Sequence, residues 1–262
     1  MSTIDATPRT VGPLLVVPID IVLPLGVTAL LTTRAGGVSQ PPYDALNVAE
    51  HVGDDPRDVE HNRRLVAEAI DVPLTHLLST EQVHGSHVTE IFDHGRGAVG
   101  DALVTMRDDV ALMIMAADCL PLLVVDTSTT YIGVIHAGWR GLQSGVIRAT
   151  LDYLDSSTTH VVLGPCISQA GYQVGAEVAD HFRDIKGAVS ADTMVGKWRL
   201  DLRAVALHQL REAGVPASHL HCVDATTDGG TLFFSDRAAR PCGRFALVAR
   251  RSTYHYSVKG RQ

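Results

Sequence analysis

The sequence predicts a single domain that mixes β-strands with α-helices, and three observations lead there. Apolar runs of strand length, at residues 120–125, 131–135 and 161–163, are bounded by turn-forming residues. Longer stretches carry helical spacing with recognisable ends: Asp55-Pro56 opens one, and Gly214 closes another. No internal repeat, low-complexity block or linker divides the 262 residues, a length sufficient to bury a sizeable core. A composition of 45% hydrophobic and only 5% aromatic residues implies that this core is aliphatic and alanine-rich. A formal net charge of −7, with no basic stripe, argues against nucleic acid as the main partner. No apolar run approaches the roughly 20 residues of a membrane span. The first residues, MSTIDATPRTVGP, lack the order of a signal peptide, so the expected location is the cytoplasm. There the four cysteines, widely spaced and without a CxxC pair, are expected as free thiols or metal ligands.

Residues 1–13 read as a flexible tail and residues 14–251 as the domain. Residues 14–24, rich in Val, Ile and Leu, supply an edge strand with its prolines at the ends. A second strand at 27–33 runs into Arg34 and the tight turn of Gly36-Gly37; Arg34 either points into a cleft or lies on a surface hairpin. Residues 40–55 form a connection of the length that often serves function. The helix after Asp55 gathers Val59, Leu65, Val66, Ala69 and Ile70 on one side and leaves Asn62 and Arg63 as a solvated face. Residues 83–92 read as a strand, on which His84 and His87 face opposite ways. A glycine-rich turn at 95–100 precedes strands at 101–105 and 110–116. Gly138 and Gly141 turn the chain into a helix over 142–154 and leave N–H groups that favour anions beside Arg140. A strand ends at Cys166, which reads as a small buried residue. Residues 175–185 are helical, and residues 198–203 begin a further helix that runs from 202 to 213. His219, His221 and Cys222 cluster, but strand alternation splits them between two faces. The last strand is 243–249, and 252–262 form a polar tail.

All of this is organised around residues 116–141, AADCLPLLVVDTSTTYIGVIHAGWRG. Two apolar runs flank the turn-forming DTSTT, Cys119 sits just before the first, and His136 sits just after the second. Antiparallel pairing of the runs brings both residues together at the open end of the hairpin. Thiol and imidazole are zinc ligands, and equally a nucleophile and its base. His84, from QVHG, is a third donor of the same kind.

The motifs TTRAGGVSQPPYDALNVAEHVGDDP, EQVHG, AADCLP, HAGWRG, LGPCI and LDLRAVALHQL occur in that order. Together they resemble the YfiH-like family, once labelled laccase-domain or multicopper polyphenol oxidases and now treated as purine nucleoside phosphorylases. The resemblance implies an α+β fold, a single compact domain with mixed β-sheets flanked by helices. It implies a metal site of His84, Cys119 and His136, whose open fourth position suits catalytic zinc, with copper as the second candidate. It implies phosphorolysis of adenosine, inosine, guanosine and methylthioadenosine, and zinc-assisted deamination of adenosine. The partners are then purine nucleosides and phosphate, with the chain a monomer or homodimer. Arg34 and Arg140 are the candidates for holding phosphate, and Asn47, Gln82, Asp118 and Arg237 complete the candidate substrate-binding set.

Two stretches depart from the family pattern. FFSDRAARPCGR places Asp236 where the pattern has an aromatic or His, Ala238 where it has a second Arg, and Cys242 where it has Thr. GPCISQAGYQVG places Gly171 where a Cys can occur and Gln173 where Glu is usual. The alternative activity is a cysteine hydrolase or peptidoglycan-precursor editing factor, with Cys119 as nucleophile and His136 as base. A copper polyphenol oxidase is a further alternative, although such an enzyme needs several paired His-x-His motifs and this chain has only His219-x-His221. A non-enzymatic alternative is a metal-stabilised binding protein of cell-envelope assembly.

Overall fold

The computed structural model describes residues 1–92 and 98–252. Residues 95–97, half of the glycine-rich turn expected at 95–100, and nearly all of the expected C-terminal tail lie outside the described residues.

Every residue of the strands Ala111–Ala116 and Leu120–Asp126 is buried, so both strands must be covered on both faces. The sheet order supplies that cover. A seven-stranded sheet runs Ser2–Ile4, Leu220–Val223, Thr159–Leu163, Leu120–Asp126, Ile132–Ala137, Ala102–Thr105, Val88–Glu90. Its central pairs are antiparallel and its outer pairs parallel. A six-stranded sheet runs Arg9–Val11, Leu14–Pro18, Val27–Thr32, Phe245–Arg251, Ala111–Ala116, Leu77–Leu78, antiparallel except at its last pair. A small antiparallel sheet joins Gln173–Gly175, Lys197–Leu200 and Val189–Ala191.

Alternation within one strand sorts side chains into different cores. Leu122 and Val124 pack with Val146, Ile147, Val205 and Leu210 of the helices Val146–Leu151 and Leu202–Glu212. Leu123 and Val125 pack with Leu31, Leu112, Ile114 and Leu247 of the second sheet. The far face of that sheet, through Leu30, Met113, Ala246 and Val248, packs on Val66 and Ala67 of helix Pro56–Ala69. The layers are therefore helix, sheet, sheet, helix. This is the α+β arrangement of mixed sheets flanked by helices that the motifs implied. Truncating any one of these buried leucines to alanine removes about 2–5 kcal/mol of stability.

Several expectations are corrected. Residues 1–13 are not a loose tail: Ser2–Ile4 adds a parallel strand beside Leu220–Val223, and Arg9–Val11 pairs with Leu14–Pro18. Residues 14–24 give a strand only to Pro18 and then a 3-10 turn at Asp20–Leu25; the strand is not at an edge. The helix over 142–154 is two short helices, Trp139–Ser144 and Val146–Leu151, broken where Gly145 adopts φ +83°. The helix at 175–185 shrinks to Ala176–Ala179. Residues 198–200 belong to a strand, and Asp201 caps the following helix by accepting from the Arg203 and Ala204 N–H groups. Asn62 and Arg63 are not a solvated face. Asn62 is fully buried and ties the 38–47 loop: its Oδ1 accepts from Val38 N, and its amide donates to Ser39 Oγ, Ala45 O and Asn47 O. Arg63 donates to Val48 O at 2.7 Å and pairs with Glu50.

Candidate metal centre

The hairpin forms as its sequence requires. Ile132–Ala137 pairs antiparallel with Leu120–Asp126, with His136 opposite Pro121 and Ala137 opposite Leu120. Cys119 thus lies at the open end beside His136. His84 arrives from a loop, not a strand, at φ +61°, so the alternation that set it against His87 does not apply. Asp118 also has positive φ, at +86°. Left-handed backbone at these two non-glycine residues of the site is strain of the kind that surrounding structure must hold in place. Donor atoms of His84, Cys119 and His136 all lie within 4.8 Å of one another. The two imidazoles meet edge-on, with ring centroids 4.8 Å apart at 80°. Gly138 permits this approach: a Cβ there would stand 3.0 Å from Cys119 Sγ and 3.1 Å from His84 Cδ2.

Asp101, fully buried, holds the group from behind. Its Oδ1 accepts from His136 Nδ1 at 2.8 Å and from His84 N at 2.9 Å, and its Oδ2 accepts from Val83 N and from Gly85 N at 2.6 Å. One carboxylate therefore fixes the His84 loop and also the ring of His136, leaving Nε2 of His136 as its free nitrogen. Burial pushes the Asp101 carboxyl up, but His136 and the Gly85 and His84 N–H groups outweigh it and leave it lowered. Burial likewise pushes the Cys119 thiol up; His136 and then His84 pull harder, and it settles at about 6. Burial draws His136 down, while the Cys119 thiolate and Asp101 raise it to about 9. At neutral pH the pair is a thiolate beside an imidazolium. Two imidazoles and one thiolate, one ring oriented by a carboxylate, are a donor set that fits a tetrahedral zinc-type ion with one position left for a ligand. Nitrogen and sulfur donors also suit copper.

These side chains open into a cleft of about 510 Å³. Gln82, Asp118, Arg140 and Arg237 line it together with the three donors. Gln82 spends its amide on Met115, donating to O and accepting from N at 2.8 Å each. Asp118 accepts from Thr227 Oγ1 at 2.5 Å and from Arg237 N at 2.7 Å. Arg140 stacks over Trp139, 4.4 Å from the ring centre. Arg34 and Asn47 are not among the residues that line this cleft. Arg34 instead donates to Asp44 O, Asp44 Oδ2 and Gly230 O and lies over Phe234. Asn47 is fully buried and braces Ala49, Asp54 and Arg244 N.

A family model described as multi-copper polyphenol oxidoreductase laccase matches residues 28–252. The crystal structure of Bacillus licheniformis YfiH aligns with TM-score 0.84 at 28% identity, covering 93% of this chain and 98% of that one. The chain belongs to the YfiH-like family. A Pseudomonas aeruginosa relative named purine nucleoside phosphorylase is 40% identical over 233 residues, 86% of this chain and 93% of its own. The structure of YlmD from Geobacillus stearothermophilus, a YfiH-like fold at 33% identity, aligns with TM-score 0.85 over 95% of this chain and 99% of that one.

The YfiH-like cleft contains residues that the sequence did not single out for it: His51, Trp139, Ile167, Tyr172, Arg240 and Arg244. For Asp101 a weak signal existed, an acid at the entrance to an otherwise apolar strand. The split of the His219, His221 and Cys222 cluster is observed: Cys222 packs against the helix-facing core, while His219 and His221, two positions apart, share a side. Both stack on His160, with centroids 4.0 and 5.7 Å away and planes within 16°. Parallel rings do not converge on a common point. Among the described residues, only His84, Cys119 and His136 form a group of three converging His, Cys or acidic donors. No helix among the described residues is long and apolar enough to cross a membrane.

Proposed function

We propose that this chain is a zinc-dependent purine nucleoside phosphorylase with adenosine deaminase as a second activity. The observation that carries this reading is the His84–Cys119–His136 group at the floor of a cleft lined with arginines. The name of the Pseudomonas relative supports the same activity. Zinc, held by those three side chains, would supply a Lewis acid at the reacting centre. Asp101 keeps Nε2 of His136 turned toward that position. Trp139, Ile167 and Met115 offer apolar surface to a purine ring. Arg140 and Arg237, with Arg240 and Arg244 beside them, face the same cavity as cations among which phosphate can be held. Burial, and then the Cys119 thiolate, hold the Tyr172 phenol well above its ordinary range, so its O–H stays a donor to an accepting substrate atom. In phosphorolysis a phosphate oxygen bonds to the ribose anomeric carbon as the carbon–N9 bond breaks, and the purine leaves with a proton. Product analysis by mass spectrometry tests the reading. Adenine and ribose 1-phosphate are expected from adenosine only with phosphate present, and only with Cys119 intact; inosine in either buffer adds the deaminase. No conversion by the zinc-loaded protein would sink it.

One observation favours a second reading. Cys119, His136 and Asp101 form the nucleophile, base and orienting carboxylate of a cysteine hydrolase such as the peptidoglycan-precursor editing factor. The two readings separate on metal stripping. A hydrolase keeps its turnover when the ion is removed, and the phosphorylase loses it.

A further inference from the structure

Four arginines, Arg140, Arg237, Arg240 and Arg244, line this cleft, in a chain whose net charge is −7. Two carboxylates share that lining, Asp118 and Asp236. The oxygens of Asp118 are engaged by Thr227 Oγ1 and by the Arg237 N–H. Asp236 instead faces the guanidinium groups. Its Oδ2 is paired with Arg240 and its Oδ1 accepts from Arg244 at 3.2 Å.

The two arginines differ in freedom. Arg244 is anchored: it also donates to Cys242 O at 2.9 Å and Gly243 O at 3.1 Å, and only 20% of its side chain is exposed. Arg240 is 78% exposed, and its ion-pair partner is Asp236. A carboxylate seated between two guanidinium forks occupies positions that two oxygens of a phosphate can take. Arg140 adds a third cation, fixed by stacking on Trp139 and without an ion-pair partner among the described residues.

We propose that Arg140, Arg240 and Arg244 form an oxyanion subsite at the cleft, and that Asp236 is its internal competitor, a carboxylate that an incoming phosphate must displace. The identity of the oxyanion as phosphate rests on the phosphorylase reading. Arg240 is the arm that changes partner, and Arg244 the fixed post. Asp236 lowers the affinity for any oxyanion by repelling it and by occupying both guanidinium groups.

Calorimetric titration of the full chain with inorganic phosphate, without nucleoside, tests this. Asp236→Asn is expected to tighten phosphate binding roughly three- to tenfold, the effect of removing one nearby charge at a partly exposed site. Arg240→Gln, at an exposed position that endangers folding little, is expected to weaken it. Asp152→Asn, a substitution of equal charge on a helix end exposed to solvent, is expected to change nothing. Unchanged or weaker binding in Asp236→Asn overturns the proposal, as does unchanged or tighter binding in Arg240→Gln, or no detectable binding in any variant. The two readings fail separately. Phosphate binding that tightens in Asp236→Asn without purine release sinks the phosphorylase alone. Purine release with phosphate affinity indifferent to Asp236 sinks the competitor alone.

Discussion

With both carboxylate oxygens of Asp101 engaged, an Asp101→Asn change sets an N–H donor against backbone N–H groups or the His136 ring. Metal affinity, measured by competition with a chromophoric chelator, is expected to fall about 10–100-fold, the usual effect of losing the carboxylate behind a histidine ligand. The protons of the pair give a second expectation. Metal binds the deprotonated forms, and at pH 7.5 Cys119, at about 6, has already lost its proton while His136, at about 9, has not. Binding therefore expels one proton from this pair, and affinity climbs about tenfold per pH unit between those two values. Below the Cys119 value both protons compete and the dependence steepens; above the His136 value the pair contributes none. Calorimetry in buffers of different ionisation enthalpy reads the proton count, and a count of zero at pH 7.5 contradicts the thiolate–imidazolium assignment. Cys119 and His136 were legible in the sequence because a hairpin with a polar turn fixes which ends meet. Asp101 was not, because a single acid before a strand carries no spacing that ties it to a histidine 35 positions on. Asn62 was misread for a related reason. Helical periodicity marks the inward face by apolarity, and an amide that binds a loop from that face looks solvated.

At the scale of elements, glycine decides how closely the hairpin end and the His84 loop approach. Gly138→Ala is expected to leave the sheets intact and to displace Cys119 Sγ or His84, since both contacts at 3.0–3.1 Å are tighter than ordinary packing allows. Metal affinity should drop at least tenfold with little change in the far-ultraviolet circular dichroism spectrum. An affinity equal to wild type would show that the neighbours yield freely. Helix ends with a chemical signature were readable at Asp55, which caps the first helix, and at Gly214, which closes the last at φ +90°. Helix interiors were less so. Residues 142–154 keep an apolar spacing across Gly145, and only the backbone reveals that the spacing belongs to two helices rather than one.

At the scale of the molecule, the three donors come from a loop and two strand ends, and they meet only in the folded chain. An ion that binds only this state stabilises it. At a free concentration one hundred times the dissociation constant the gain is about 2.7 kcal/mol, or a melting shift of about 5–10 °C for a domain this large. Zinc should raise the melting temperature of the stripped protein by that amount, and Cys119→Ala should abolish the shift; equal shifts in both proteins would place the ion elsewhere. The mixture of strands and helices was legible from local pattern, but the sheet order was not. An apolar strand buried on both faces says how many neighbours it needs, not which ones. Phe245–Arg251, nearly the last segment described, pairs between Val27–Thr32 and Ala111–Ala116. Until that segment is in place, each of these two earlier strands presents an open edge. The nascent protein already displays its thiol and imidazoles by then, but Arg237, Arg240 and Arg244 appear only just ahead of the closing strand. A translation product stopped before residue 245 would carry ligands without a sealed sheet, and its bare edges would invite pairing with neighbouring chains. Sheet closure and three arginines of the cleft thus come from one late stretch of the chain, residues 237–251.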